Sequence, residues 1–154
     1  MSPTFRLATP AEIPAVAAII DAAYGHYIPI LGGRKPRPMT DDHAARIERG
    51  ETYLLEAEGR DVGVTSMSVE NGAVHIFNIA VHPDAQGAGH LRSILGFADE
   101  MARRHGAPTV TLFTNALMER NRAIYAHLGF AETSEEDVPG GYRIVFMERP
   151  VAPS

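Results

Sequence analysis

The stretch VHPDAQGAGHL, Val81 to Leu91, decides how this sequence folds. It leaves an apolar, β-prone segment, crosses a Pro-Asp turn, sets Gly87 and Gly89 two residues apart and opens an amphipathic helix. A helix start carries unpaired N–H groups and a partial positive charge, and glycines before it let an anion approach the backbone. The helix dipole contributes about 0.3–1 kcal/mol, whereas hydrogen bonds to a charged group contribute roughly 1.5–3 kcal/mol each. A turn presenting several N–H groups is therefore the stronger device. Gln86, Gly87, Ala88, Gly89, His90 and Leu91 are placed to present them to a phosphate. The alternative is a tight turn whose glycines serve the backbone alone.

Outward from this turn, the flanking pattern predicts the elements. AVHIFNIAVH reads as the strand entering it, after an Asn71-Gly72 hairpin turn. LRSILGFADEMARRHG reads as the helix leaving it, with Leu91, Ile94, Leu95, Ala98, Met101 and His105 as one stripe and Gly106 as the stop. Upstream, TYLLEAE and RDVGVTSMSVE are strands joined at Gly59, and TFRLA is a short first strand. Thr9, Pro10 and Glu12 open a helix as N-cap, N1 and capping-box partner, with Ile13, Val16, Ala17, Ile20 and Tyr24 at helical spacing. GHYIPILGGRKPRPM, rich in proline and glycine, reads as a long loop, and TDDHAARIERG as a short helix. Downstream come the strand TVTLFT, the helix MERNRAIYAHLG and the strand YRIVFMER. The order gives a mixed sheet covered by helices, not the regular strand–helix alternation of a doubly wound fold.

Composition narrows the function. The 154 residues suit one domain, 1–154, with 45% hydrophobic and 21% charged residues. The absence of cysteine excludes disulfides, thiolate metal sites and cysteine nucleophiles. A formal charge of -5 argues against nucleic-acid binding. No apolar run approaches the roughly 18 residues that span a bilayer. The N-terminal MSPTFRLATP lacks the basic and apolar regions of a signal peptide, so a cytoplasmic location is expected, with no membrane partner.

A dinucleotide-binding fingerprint would need a third glycine where Arg92 stands, and a P-loop would need a Gly-Lys-Ser/Thr that the chain lacks. The segment AVHPDAQGAGHL instead resembles the acyl-CoA pyrophosphate-binding motif of the GNAT family of N-acetyltransferases, Val-x-Pro-x-x-Arg/Gln-Gly-x-Gly-x-Gly/Ala. Val81, Pro83, Gln86, Gly87 and Gly89 match, and Leu91 replaces the last small residue. TNALMERNRAIYAHLGF resembles the family's later motif, with Tyr125 four residues before Gly129-Phe130; Met118 stands where many relatives start with Asn, with Asn115 and Asn121 nearby. The resemblance spans nearly the whole chain. It implies an α/β (mixed α+β) single domain, with a central, mostly antiparallel twisted sheet flanked by about four helices. It also implies acetyl-CoA as co-substrate, no metal, and direct transfer of the acetyl group to a primary amine in a ternary complex.

The chemistry asks for particular groups. An amine is mostly protonated at neutral pH, with a pKa of about 7.7–8.0 for an α-amino group and about 10.4 for lysine. It must lose a proton before attacking a thioester, and the departing thiolate must gain one. Tyr125 is the expected acid: it shares a helix face with Asn121, while Ile124 and Leu128 share the neighbouring face and are expected to pack on the sheet. His75, which matches a glutamate base of some family members, is the candidate base; Asn78, a water chain or glutamates of the acceptor loops are the alternatives, with His26 and His43 behind them. Ile79, Ala80 and Val81 are expected beside the pantetheine, with Asn115, Asn121 and Tyr125 completing the cofactor contacts.

The acceptor is expected among the loops, at Tyr24 and Tyr27 and beside the acidic ETSEEDVPGGY, whose Glu132, Glu135, Glu136 and Asp137 either attract a cationic amine or form a solvated turn. Arg34, Lys35 and Arg37 meet the CoA 3′-phosphate, meet an acidic acceptor, or simply solubilise their loop. Two other readings remain open: a non-catalytic acyl-CoA-binding sensor, and an acyltransferase using another acyl-CoA. A homodimer is also left open.

Overall fold

The computed structural model describes residues 3–153, so the outermost residues of the expected 1–154 domain lie outside the described residues. In chain order the strands are β1 (Thr4–Leu7), β2 (Thr52–Ala57), β3 (Arg60–Glu70), β4 (Ala73–Val81), β5 (Thr109–Asn115), β6 (Ala131–Val138) and β7 (Tyr142–Pro150). The helices are α1 (Ile13–Tyr24), α2 (Arg37–Thr40), α3 (His43–Glu48), α4 (His90–Arg104) and α5 (Glu119–His127). One seven-stranded sheet runs β1-β2-β3-β4-β5-β7-β6. Every neighbouring pair is antiparallel except β4–β5. The mixed, mostly antiparallel fold expected of the sequence is the fold observed.

A bulge in β4 organises the two faces of this sheet. Ser66 pairs with Asn78 and Met67 with Ile76, so Phe77 is an extra residue that shifts the strand's alternation by one. Before it, Val74 and Ile76 pack with Leu95, Ala98 and Ala102 of α4 and with Val110 and Val145. After it, Ala80 packs with Val16 and Ile20 of α1 and with Leu54 and Val64. Each large apolar side chain buried this way contributes about 1.5–3 kcal/mol.

Three expectations are corrected. First, the α4 stripe is rotated. Ile94, Leu95, Ala98, Asp99 and Ala102 are buried, whereas Met101 is half-buried and His105, beyond the helix end, is exposed. A periodic reading of apolar residues passes over Asp99, which is 4% exposed. Its carboxylate accepts a hydrogen bond from Arg149 Nη2 at 2.6 Å, and Arg149 also lies over the Phe130 ring at 5.1 Å. Second, the acidic segment after Phe130 is a seventh strand. β6 is exposed on both faces and has no apolar alternation to betray it, and its charges protect the sheet edge. Arg122 holds Glu132 at 2.8 Å, and Arg143 holds Glu135 and Asp137, each at 3.2 Å. Third, the proline-rich loop contains the single turn α2, which Pro36 and Pro38 start by presetting the backbone.

Because Arg149 is itself only 14% exposed, loss of Asp99 strands a buried guanidinium. Asp99→Ala should lower unfolding free energy by about 3–5 kcal/mol, whereas an Asp99→Leu, Arg149→Met double variant should lose much less. Denaturant unfolding of the three proteins checks this.

Candidate active site

β4 and β5 pair only from Ala73 with Thr109 to Ile76 with Leu112. Beyond that point β4 stays with β3 as far as Val81, and β5 stays with β7 as far as Asn115. The two strands part like the arms of a V. The backbone groups of Ile79 and Val81 that would have continued the parallel ladder face the opening instead. The Val81 carbonyl accepts from Gln86 Nε2 at 3.3 Å. Ile79 is held by a side chain: the Tyr24 hydroxyl donates to its carbonyl at 2.7 Å and accepts from its N–H at 3.1 Å.

On one side of the opening lies a cleft of about 740 Å³. It runs from the turn before α4, along Ile79 and Val81, to Ile124, Tyr125 and Leu128 of α5. The turn holds Gly87 and Gly89 at φ of 87° and 82°, a left-handed region that other residues enter at a cost. A Cβ at either position would meet nothing within 4 Å, so the glycines are there for backbone angle and not for space. Among the described residues the N–H groups from Gly87 through Arg92 have no hydrogen-bond acceptor; the first intrahelical bond is Ser93 N–H to Gly89 at 3.1 Å. That row opens into a cleft whose charged walls are Arg92 and Arg120, with His26, His90 and His127, and which no carboxylate lines.

On the other side lies a narrower cavity with about 40 Å³ of free volume, room for only two or three waters. Phe77, Phe113, Met118 and Ile144 supply apolar walls, and Arg37 stands beside Phe113 with its guanidinium carbon 5.8 Å from the ring centre. Asn78 lines this cavity and is 3% exposed. Neither its Oδ1 nor its Nδ2 has a partner. A buried amide left unpaired costs about 1–3 kcal/mol, so these two groups call for a partner from the cavity side, water or ligand.

Cleft and cavity meet at Tyr24, Ile79, Asn121 and Tyr125, which line both. Tyr27 reinforces this partition by donating to Asn121 Oδ1 at 2.8 Å. The Tyr125 hydroxyl makes no hydrogen bond among the described residues, and its ring packs edge-on against Phe130 at 5.9 Å. Burial pushes the Tyr125 phenol far above its ordinary range and the Tyr24 phenol up to about 12. Both are therefore neutral hydroxyl donors at physiological pH.

Residues 48–132 match the model of the acetyltransferase (GNAT) domain. The chain belongs to the GNAT acetyltransferase family. A mycothiol acetyltransferase of Streptomyces avermitilis is 26% identical over 138 residues, which is 88% of this chain and 44% of the relative. The chain thus spans less than half the length of that curated relative. Among solved structures, the ribosomal-protein-S18-alanine N-acetyltransferase from Escherichia coli superposes with a TM-score of 0.73 at 23% identity, covering 99% of this chain and 96% of that one. The PaiA N-acetyltransferase from Thermoplasma acidophilum, in complex with coenzyme A, gives 0.74 at 13% identity, covering 97% and 99%. These similarities show a shared fold.

Within this GNAT domain the expected site residues separate into groups. Val81, Gln86, Gly87, Gly89, His90 and Leu91 line the cleft, and Ala88 sits in the same turn with its N–H unpaired. The Gln86 N–H is taken by Pro83 at 3.4 Å, so the row of free donors starts one residue later than expected and extends to Arg92. Leu91, in place of the family's small residue, packs against the core under α4. The side chain of Ala80 is buried on the α1 face. Asn115 lines only the smaller cavity and caps its own turn by accepting from Leu117 N–H at 2.9 Å. His75 lines neither space; it lies below the parting of the strands, and its Nδ1 hydrogen-bonds the Thr111 hydroxyl. Ile124 and Leu128 face the cleft rather than lying wholly against the sheet. Arg34, Lys35 and the acidic side chains of β6 line neither space, whereas Arg92 and Arg120, which carry no motif of their own, do.

The Tyr24 and Tyr125 phenols, raised by burial as those of Tyr27 and Tyr53 are, set an alkaline limit on stability. A phenol with an ordinary pKa of about 10 ionises in the unfolded chain first. Unfolding free energy should therefore be level below about pH 10, as far as these groups decide it, and fall as pH rises toward about 12, the value for folded Tyr24. Urea unfolding across that range, read beside phenolate absorbance, should show Tyr24 and Tyr125 ionising only as the protein unfolds.

Proposed function

We propose that this chain moves an acetyl group from acetyl-CoA to a primary amine by direct attack within a ternary complex. The observation that carries the reading is the row of unpaired N–H groups from Gly87 to Arg92, opening into a carboxylate-free cleft that follows a free strand edge to Tyr125. Such a row suits a pyrophosphate, since each hydrogen bond to a charged group contributes roughly 1.5–3 kcal/mol. Arg92 and Arg120 are the cations available to the remaining phosphate. Pantetheine amides suit the outward-facing groups of Val81 and the Ile79 carbonyl, displacing the Gln86 and Tyr24 side chains that hold them and extending β4 in place of the lost parallel neighbour. That brings the thioester to the partition between cleft and cavity, with the amine arriving from the Asn78 side.

The amine nitrogen attacks the thioester carbon, and the oxygen takes up the negative charge. The Ile79 N–H, released from Tyr24, is positioned to stabilise that oxygen. The carbon–sulfur bond then breaks, and the thiolate takes the Tyr125 proton as it forms. The amine proton leaves to water, because among the described residues no carboxylate or histidine lines the smaller cavity. Bulk water restores the Tyr125 proton. His75 has no part in this scheme.

Two variants test it. Gly89→Asn keeps a residue tolerant of the left-handed region, whereas Gly89→Asp adds a carboxylate to the same frame. Calorimetry should show acetyl-CoA affinity falling at least about tenfold further for the Asp variant than for the Asn variant, from charge alone. Equal affinities would remove the phosphate from this turn. Tyr125→Phe should lower turnover toward the lower end of the about 10²–10⁴-fold range of acid catalysis, with acetyl-CoA affinity nearly unchanged. Free-thiol release against a panel of amines reads turnover, and normal acetyl-CoA binding without release on any amine would leave only a binding domain.

A further inference from the structure

The acceptor cavity is chemically selective in a way that the family fold does not dictate. We infer that the acceptor is a small peptide-like α-amine that also carries a negative charge, with only its amine end entering the cavity, beside Asn78, and its anionic end outside on the exposed Arg37. This rests on the transferase reading above.

Three observations converge on it. The first is the unpaired carboxamide of Asn78, buried with both Oδ1 and Nδ2 free. One acceptor oxygen and one donor nitrogen on a single rigid group match an amine and a carbonyl oxygen on adjacent carbons, the pattern of a peptide amino terminus. The second is the absence of carboxylate and histidine from the cavity lining. An ammonium ion there would be buried without a counter-ion, and no side chain would remove its proton. The acceptor must therefore arrive neutral. Near neutral pH the neutral fraction of an α-amine with pKa about 7.7–8.0 exceeds that of a lysine amine with pKa about 10.4 by several hundredfold. The third is Arg37, the one guanidinium lining the cavity, exposed beside Phe113. It attracts an anion and repels a cation. The carboxylates of β6, which would have favoured a polyamine, line neither space, and Glu132, Glu135 and Asp137 are bound to Arg122 and Arg143.

The test is thiol release from acetyl-CoA with alanyl-aspartate, alanyl-lysinamide, Nα-acetyl-lysinamide and spermidine. Alanyl-aspartate should give the highest kcat/KM, about tenfold or more above alanyl-lysinamide and about a hundredfold or more above the two high-pKa amines. Arg37→Gln should collapse the difference between the two dipeptides while leaving acetyl-CoA affinity unchanged. Asn78→Leu should lower kcat/KM for both dipeptides by about tenfold or more and raise Tm, because an unpaired buried amide is replaced by an apolar group. A structural asparagine would lower Tm instead. Asn78→Asp should shift preference toward spermidine, and it supplies an answer if the leucine variant misfolds. Preference of the unaltered protein for spermidine or Nα-acetyl-lysinamide, or unchanged kcat/KM in Asn78→Leu, overturns this inference and leaves the transferase standing. No release with any amine, despite acetyl-CoA binding, overturns the transferase reading and this inference with it.

Discussion

Parallel pairing between β4 and β5 ends at Ile76 and Leu112, and the organisation of the site follows from that ending. Each strand keeps its antiparallel neighbour on the outer side, so the sheet loses no stability from strands left wholly unpaired. What it gains is a wedge with backbone donors and acceptors on its wall. Buried backbone groups are almost always paired, and here a side chain does the pairing. Tyr24, from the end of α1, satisfies both groups of Ile79 with a single hydroxyl. A hydroxyl that donates and accepts at once mimics what an amide-bearing ligand would offer. The strand edge is thereby kept from pairing with another chain, a standing hazard for exposed edges.

Two spaces of opposite character flank the wedge. The larger is lined by unpaired N–H groups, arginines and histidines, which suit a polyanion. The smaller has apolar walls, neutral amides and Arg37. Neither has a carboxylate on its lining, although acidic residues outnumber basic ones, 19 to 14, in the chain as a whole. The negative charge is carried elsewhere: Glu132, Glu135 and Asp137 of β6 pair with arginines at the far sheet edge, and Asp99 pairs with Arg149 inside the core. Net charge thus gives no guide to the site. The local distribution does, because electrostatic interactions in partly dry spaces outweigh those of screened surface groups.

Much of this was legible in the residue order. The turn before α4 could be read because glycine at two positions, a preceding Pro-Asp and a following helical stripe are all local features. So could the hairpins, the helix around Tyr125 and the mixed character of the sheet. The seventh strand escaped because an edge strand exposed on both faces lacks the period that marks a half-buried one. Asp99 escaped because its burial depends on Arg149, fifty positions later, reaching the same point. His75 was expected as the base because it matches a glutamate base of some relatives, but it sits opposite Thr111 below the parting of the strands and lines neither space.

Neighbours along the chain are enough to set the turn before α4, with its left-handed glycines and helix start. The sequence by itself also determined that a protonated tyrosine stands on the helix after β5, as Tyr125 does. Long-range packing set where β4 and β5 part, that Asn78 is buried without a partner among the described residues, that Tyr24 covers Ile79, and that Arg37 rather than a carboxylate lines the smaller cavity. Those facts depend on pairing register and on contacts between segments distant in the chain, such as Tyr24 with Ile79 and Tyr27 with Asn121. Local propensity carries information over one turn or one strand. The side chains that converge across a wedge are chosen by how whole elements pack, and no short window of residues contains that choice.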